Sequence, residues 1–336
     1  MIDVVIRAAT ESDEPTIVSI RNETKRHMPP QTLDEYRYAQ AGASSAPTVA
    51  SLEGKVVGVS VLRELKSVAR PQTFFTDVAV AVDHRSQGIG TALYAHVLDQ
   101  AGACRATRLY GEISKGDTIA LAYFERRGFA RTGRSQRISR LKVASARLQG
   151  YEGLVERIAA SGIRITTLAA IGEGDQPFLR ALHRMVIGNW RDIPGSEQLV
   201  DFPYDRWLRD LFSPGISADR IWIALAGDQP VGLASLSRRG DRGAYNHDTG
   251  VSREYRGRGI ARVLKLMTIR WAINNGIDYI YTANEAANSA ILSINIPLGY
   301  EEMPSLIEIA KDMMKPEPET RLSEMRATTA RSAESD

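Results

Sequence analysis

Two short segments of the chain combine an arginine with closely spaced glycines. The first begins at Arg85 and ends at Gly90, the second begins at Arg256 and ends at Ala261, and both read Arg-x-x-Gly-x-Gly/Ala. Apolar residues then recur at helical spacing, so each segment predicts a turn that opens a helix. The first amides of a helix lack intrahelical partners and carry partial positive charge, and glycines let a ligand approach them. The two turns therefore predict cradles for a pyrophosphate.

Two better-known phosphate loops do not fit these segments. A Walker loop needs Lys-Ser/Thr after its last glycine, where this chain has Thr91 and Arg262 as the next residues. A Rossmann fingerprint needs a further glycine or alanine three positions on, and Leu93 and Leu264 stand there. The remaining alternative to a phosphate cradle is a tight turn without a ligand.

Acidic side chains precede both turns on a predicted strand. Asp77 stands in the first segment, and Asp248 follows His247 in the second. A carboxylate or a histidine can accept a proton from a substrate, so these three side chains are candidate general bases. The alternative is a structural role, in which each aspartate caps or orients its strand.

The two segments belong to an internal repeat. Asp77 and Asp248 are 171 residues apart, and the same offset relates Arg85 to Arg256 and, far downstream, Gly128 to Gly299. A constant offset over that distance indicates two copies of one unit. The repeat predicts an N-terminal domain over residues 1–150, a C-terminal domain over 151–314 and a disordered tail over 315–336.

Each copy predicts alternating strands and helices, from the hydrophobic periodicity. In the N-terminal copy the predicted strands are 4–8, 48–52, 56–64, 74–82, 108–113 and one beyond Phe129, with helices across 14–40 and at 89–102 and 118–127. In the C-terminal copy they are strands 163–168, 220–225, 230–238, 244–252, 278–283 and 304–312, with helices across 175–213 and at 260–275 and 287–297. This order predicts a mixed α/β (α+β) layer in each copy.

The composition of the 336 residues is that of a globular protein, with 43% hydrophobic and 25% charged residues. The net charge of +3 is spread along the chain, which disfavours nucleic-acid binding. No apolar run reaches the roughly 20 residues of a membrane span. Cys104 is the single cysteine, so no internal disulfide can form, and we expect a cytoplasmic setting.

Both copies resemble the GNAT superfamily of N-acetyltransferases. The signature Arg/Gln-x-x-Gly-x-Gly/Ala after the fourth strand matches both turns, and the later Leu-Gly-Phe/Tyr element matches the segments that end at Phe129 and Tyr300. The resemblance covers residues 1 to about 312. It implies two tandem domains, each a mixed, mostly antiparallel, splayed sheet flanked by helices, with coenzyme A between the parting strands.

The resemblance also implies which residues hold acetyl-CoA as co-substrate, without a metal. The backbone of the fourth strand would bond the pantetheine and the thioester carbonyl, and the turn would hold the pyrophosphate. In the N-terminal copy these residues are Val78, Ala79, Val80, Arg85, Gln87, Gly88, Ile89, Gly90 and Thr91. In the C-terminal copy they are Thr249, Gly250, Val251, Arg256, Gly257, Arg258, Gly259, Ile260, Ala261, Asn284 and Asn288.

The expected reaction is direct transfer of an acetyl group to the primary amine of a small molecule. Asp248, His247 and Asp77 are the candidate bases, and the C-terminal copy is favoured because it has the fuller turn, the histidine and the paired asparagines. The family often has a tyrosine acid four residues before the glycine of Leu-Gly-Phe, where this chain has Phe124 and Asn295. Two alternatives stay open: a non-catalytic acyl-CoA sensor or scaffold, and an acetyltransferase acting on protein lysines or N-termini.

Overall fold

The computed structural model describes residues 4–26, 28–41, 46–66, 70–172, 174–194 and 202–313. The strands are β1 (Val4–Ala8), β2 (Thr48–Leu52), β3 (Lys55–Glu64), β4 (Thr73–Val80), β5 (Arg108–Ser114), β6 (Ala130–Lys142), β7 (Ile163–Thr167), β8 (Ile221–Ala226), β9 (Gln229–Arg239), β10 (Gly243–Val251), β11 (Tyr279–Glu285), β12 (Glu301–Glu302) and β13 (Leu306–Asp312). The helices are α1 (Glu14–Thr24), α2 (Leu33–Gln40), α3 (Ile89–Ala103), α4 (Thr118–Glu125), α5 (Leu154–Ala160), α6 (Gln176–Arg191), α7 (Tyr204–Leu211), α8 (Ile260–Asn274) and α9 (Ser289–Leu298).

The predicted order of elements is present in both copies, and α5 is an additional helix that the periodicity did not predict. The domain limits predicted near residue 150 stay a prediction. The predicted disordered tail, residues 315–336, lies outside the described residues. No helix in the described part of the chain is long and apolar enough to cross a membrane.

One sheet runs through both copies. Its strand order is β1-β2-β3-β4-β5-β13-β6-β11-β10-β9-β8-β7, and β12 pairs with β6 beside this path. Among the described strands, only β4–β5 and β10–β11 pair in parallel. The fold is therefore the mixed, mostly antiparallel sheet flanked by helices that the sequence predicted, once in each copy.

The two copies exchange their last strands at the centre of this sheet. β13, from the end of the C-terminal copy, pairs antiparallel with β5 of the N-terminal copy, with Ile309 opposite Gly111. β6, from the N-terminal copy, pairs antiparallel with β11 of the C-terminal copy, with Leu141 opposite Ile280. The sequence analysis did not predict this exchange, because the pairing of strands that are far apart in the chain leaves no local signal in the sequence.

The parallel strand pairs part after a short contact. β4 and β5 pair over three positions ending at Phe75 and Tyr110, and β10 and β11 pair over three positions ending at Tyr245 and Tyr281. Beyond Tyr245, a register shift interrupts the pairing of β10 with β9 as well, between Asn246 and Thr249. A wedge therefore opens between each parallel pair, as the splayed sheet requires.

Alternating side chains place hydrophobic cores on both faces of the sheet. In β8, Ile221 and Ile223 pack in a cluster with α6 and α7, whereas Trp222 and Ala224 pack in a second cluster with α8. In the N-terminal copy, α1 and α2 cover the face that corresponds to α6 and α7, and α3 covers the other. The cores thus fix the start of α3 and of α8 against the wedge of their own copy.

Candidate active site

A cavity of about 690 Å³ lies in the C-terminal copy, where β10 parts from β11. Its lining comes from β10, the turn before α8, the start of α9, the C-terminal part of α6, and β6 of the N-terminal copy. All the site residues predicted for the C-terminal copy line it except Arg258. The structure therefore brings together His247, Asp248, the glycine turn and the two asparagines.

The turn before α8 presents free backbone donors. Gly259 precedes the first helical residue with φ of 90°, and Gly257 has φ of 78°, both in the region that glycine adopts readily. Among the described groups, no acceptor is found for the amides of residues 257–261. Five consecutive N–H groups at a helix start are suited to an anionic ligand.

The arginines of the two turns fasten each turn to the strand before it. Arg256 donates from Nε to the carbonyl oxygen of Val251 at 2.9 Å, and its Nη2 lies 2.8 Å from Oδ2 of Asp192. Arg85 makes the equivalent bond to the carbonyl of Val80 at 3.1 Å. Both guanidinium groups therefore help to hold the geometry of the turn, a role the sequence analysis did not assign to them.

Asp248 is a half-buried carboxyl, and none of the described cations forms an ion pair with it. Its Oδ1 accepts a hydrogen bond from Nε1 of Trp190 at 2.9 Å. Burial raises the pKa of Asp248 above its ordinary value, and the hydrogen bond from Trp190 partly offsets that rise. A carboxylate that is poorly solvated and faces a cavity has the properties of a general base.

His247 lies beside Asp248 but has a different environment. Its Nε2 is 2.8 Å from Oγ of Ser237, and its ring packs edge-on against Tyr245 with ring centroids 4.8 Å apart. Burial and the nearby cation of Arg239 lower the pKa of His247 to about 3. The imidazole is therefore neutral at neutral pH, and Ser237 occupies one of its nitrogens.

Asp77, at the equivalent position of the N-terminal copy, is ion-paired. Its Oδ2 lies 3.1 Å from Nζ of Lys25 and 3.3 Å from Nη2 of Arg21, both contributed by α1 and the turn after it. Burial alone would raise its pKa, but the two cations outweigh burial and hold the pKa of Asp77 below its ordinary value. The two aspartates therefore have opposite electrostatic settings.

The N-terminal turn is bridged by the side chains of Tyr123, on α4, and of Arg127, which follows α4. Tyr123 donates a hydrogen bond from its hydroxyl to the carbonyl oxygen of Gly90 at 3.1 Å. The guanidinium carbon Cζ of Arg127 lies 3.5 Å from the centroid of the Tyr123 ring. Arg127 also donates to Oγ1 of Thr91 at 3.3 Å. In the C-terminal copy, Ile294 and Leu298 occupy these positions and have no such donors.

In the C-terminal copy, the cavity extends between α9 and the start of α8, and Ile294 is part of its lining. In the N-terminal copy, the ring of Tyr123 spans the corresponding gap. The predicted residues of the N-terminal copy form the same turn, with Gly88 at φ of 84°, but none of them lines this cavity.

The structure adds cavity residues that the sequence analysis missed. Arg134 and Gln136 reach the cavity from β6 because of the strand exchange. Arg134 bridges Glu285 at 2.8 Å and Glu308 at 3.3 Å. No signal in the sequence could reveal these residues, since their place depends on which copy β6 joins.

The aromatic residues between 190 and 207 divide between core and cavity. Trp207 and Phe202 are buried in the cluster under α6 and α7. Trp190 lines the cavity, and its ring packs edge-on against Phe202 with centroids 5.0 Å apart.

Known proteins resemble the chain in sequence pattern and in fold. The family model described as Acetyltransferase (GNAT) family matches residues 15–129 and 184–292, more than half of the chain. No curated protein sequence gives a significant match.

Three solved structures are similar over most of the chain. The tandem GNAT protein from the clavulanic acid biosynthesis pathway has a TM-score of 0.71 at 18% identity, covering 92% of this chain and 98% of that one. A GCN5-related N-acetyltransferase from Sphaerobacter thermophilus has 0.69 at 16%, covering 92% and 95%. The glucosamine N-acetyltransferase region of a fungal β-N-acetylglucosaminidase has 0.67 at 14%, covering 92% and 38%. At these identities the likeness shows a shared fold.

Proposed function

This chain belongs to the acetyltransferase (GNAT) family, and we propose that it transfers an acetyl group from acetyl-CoA to the primary amine of a small molecule. The chemistry takes place in the cavity of the C-terminal copy. One observation carries this choice. Asp248 is a half-buried carboxyl that lines a cavity and has no ion-pair partner among the described residues, whereas Asp77 at the equivalent position is neutralised by Lys25 and Arg21.

The residues of the C-terminal copy fit coenzyme A. Gly257 and Gly259 bring free amides to the start of α8, which suits the pyrophosphate. Beyond Tyr245, the edge of β10 that faces β11 is free of strand partners, so its backbone groups can bond the amides of a pantetheine arm. A volume of about 690 Å³ lies within the usual range for ligand pockets.

Asp248 acts as the general base. Acetyl-CoA supplies an activated acyl group, and the amine must be neutral when it attacks that group. Asp248 accepts the proton of the amine on the oxygen that Trp190 leaves free. Trp190 holds the carboxylate in place without adding a charge that would make it a weaker base. His247 stays neutral, and its contact with Ser237 fixes the orientation of the imidazole ring. Its role is therefore to line the part of the cavity that receives the amine.

The N-terminal copy serves as a scaffold for this site. It contributes β6, from which Arg134 and Gln136 reach the cavity. Its own turn is bridged by Tyr123, and its own aspartate is ion-paired. We propose that one acetyl-CoA binds per chain, at the C-terminal turn.

A matched pair of glycine variants tests the location of binding. Gly259→Ala forces a residue with a side chain to φ of 90°, which costs about 1–2 kcal/mol, and its Cβ meets Leu154 at 3.3 Å. We expect roughly tenfold weaker binding of coenzyme A by calorimetry. Gly88→Ala imposes the same kind of strain on the N-terminal turn, with φ of 84°, and should leave the affinity unchanged.

Turnover with a panel of small amines tests the activity. Thiol release from acetyl-CoA that depends on a small amine supports the proposal. Binding without thiol release for any amine would favour the acyl-CoA sensor. Acetyl label recovered only in protein from a cell extract would favour a protein acetyltransferase.

A further inference from the structure

Two asparagine side chains meet between β11 and α9, beside the cavity. Asn295 of α9 donates from Nδ2 to Oδ1 of Asn284 on β11 at 3.1 Å. Asn295 is 1% exposed, and Asn284 lines the cavity. Because this bond occupies the carbonyl oxygen of Asn284, the NH₂ group of Asn284 remains to donate elsewhere.

The N-terminal copy has no such donor. The positions equivalent to Asn284 and Asn295 are Ile113 and Phe124, and both belong to an apolar cluster of that copy. Phe124 packs edge-on against Tyr94 with centroids 5.9 Å apart and against Phe129 at 5.2 Å. The amide pair is therefore confined to the copy whose aspartate is free of cations.

The residues next to the asparagine pair also differ between the two copies. Lys265 and Tyr300 take the places that Tyr94 and Phe129 have in the N-terminal copy, and Nζ of Lys265 lies 5.1 Å from the centroid of the Tyr300 ring. Among the described groups, the carbonyl oxygen of Asn295 has no hydrogen-bond partner. In this orientation Asn295 donates to Asn284, and the NH₂ group of Asn284 stays available as a donor.

We propose that the NH₂ group of Asn284 donates a hydrogen bond to the sulfur that leaves as the acetyl group is transferred, and that Asn295 positions it. This inference rests on the proposed function. Asn295 stands at the position where the family often has a tyrosine acid, and Asn284 is its hydrogen-bond partner. An amide does not readily release a proton, so Asn284 stabilises the thiolate instead of protonating it.

The transfer balances with this role. The nitrogen lone pair of the neutral amine forms the new C–N bond, and the C–S bond breaks with its electron pair going to sulfur. Asp248 takes the proton that the amine nitrogen gives up. The thiolate, held by Asn284, is later protonated from water, and Asp248 returns its proton to water.

Titration of the thiol of bound coenzyme A tests this donor without turnover. The thiolate absorbs in the ultraviolet, so its pKa is measured directly in the complex. We expect the thiol of the complex to titrate below the ordinary value of about 8.5, and Asn284→Ala to raise it by about one pH unit. Asn275→Ala removes an exposed asparagine amide at the end of α8 and should leave the thiol unchanged.

Asn295→Asp tests the positioning role. A carboxylate cannot donate to Oδ1 of Asn284, so the amide of Asn284 turns and its NH₂ leaves the cavity. We expect a raised thiol pKa and a kcat lowered about tenfold, with the affinity for acetyl-CoA within twofold of the parent. A thioester with a more acidic thiol releases a more stable thiolate, which depends less on the hydrogen bond from Asn284. Its kcat should therefore fall less in Asn284→Ala and in Asn295→Asp.

The outcomes separate this inference from the proposed function. If coenzyme A binds but its thiol titrates identically in the parent protein and in Asn284→Ala, the thiolate role is wrong and the acetyltransferase proposal stands. If coenzyme A does not bind the parent protein, the proposed function is wrong, and this inference is wrong with it.

Discussion

Trp190 donates its indole N–H to Asp248 over 2.9 Å, from α6 to β10. The partner of this half-buried carboxyl is thus a neutral dipole. Asp77 in the other copy instead meets Lys25 and Arg21 from the corresponding helix and the turn after it. A neutral donor fixes the position of a carboxylate while leaving it basic, whereas two cations make it a poor proton acceptor.

Trp190→Phe should shift the pH dependence of the reaction. The indole N–H lowers the pKa of Asp248, so its removal raises that pKa further. Because Asp248 must be deprotonated to accept a proton, the acidic limb of the kcat/KM profile moves to higher pH. Trp271→Phe, on α8, is the control and should leave the limb in place. An unmoved limb in Trp190→Phe would contradict the role of Asp248.

The two aspartates should respond differently to the same substitution. Asp248→Asn removes the general base, and we expect kcat to fall by about 10²- to 10⁴-fold with the acetyl-CoA affinity retained. Asp77→Asn should keep kcat within a few-fold but lower the melting temperature, because Lys25 and Arg21 lose their buried counter-charge. A large loss of kcat in Asp77→Asn alone would place the chemistry in the N-terminal copy.

Much of the fold was predictable because its patterns are local. The strands at Thr48–Leu52 and Ile163–Thr167 and the helix at Ile260–Asn274 agree with their predicted ranges within about one residue. The exchange of β6 and β13 was not predictable. The neighbour of each last strand is decided by contacts between residues such as Ile280 and Leu141 that are far apart in the chain.

Replacing Tyr123 and Arg127 should open the N-terminal turn. The double variant Tyr123→Ile/Arg127→Leu carries the residues of the C-terminal copy and lacks the hydroxyl that reaches Gly90. Calorimetry should give one coenzyme A per parent chain and a second, weaker site in the variant. Two equal sites in the parent chain would show that Tyr123 does not block the N-terminal turn.

Lys265→Met should stabilise the protein in a pH-dependent way. Lys265 is 1% exposed, and burial lowers its pKa from 10.5 to about 7. Between these two values the unfolded chain binds a proton that the folded chain does not, so stability rises with pH by about 1.4 kcal/mol per unit. Below pH 7 the folded chain carries the full cost of the buried charge.

The variant should therefore melt at a higher temperature at pH 7, and its advantage should shrink towards pH 10. Denaturant unfolding at several pH values measures this slope. Lys55→Met, at an exposed position of β3, should leave it unchanged. Equal slopes for Lys265→Met and its parent would contradict the neutral state of this lysine.

The part of the candidate site that could be predicted is the turn, because the residue types there determine the backbone conformation. Glycines such as Gly259 adopt positive φ before a helix, and their spacing together with the helical periodicity that follows indicated the turn. The pairing of Asp248 with Trp190 and of Asp77 with Lys25 was not predictable, because it depends on how each helix sits on the sheet. In the sequence, Asp77 and Asp248 occupy equivalent positions of the repeat. Their electrostatic environments differ only because of their tertiary contacts.

The position of β13 has a consequence for biosynthesis. As the nascent chain leaves the ribosome, β5 emerges long before its neighbour, since β13 ends at Asp312. The edge of β5 that pairs with β13 therefore stays without this partner until β13 has been translated. A premature stop before Leu306 therefore leaves β5 without the strand that pairs with it, although every residue of the N-terminal copy has been made.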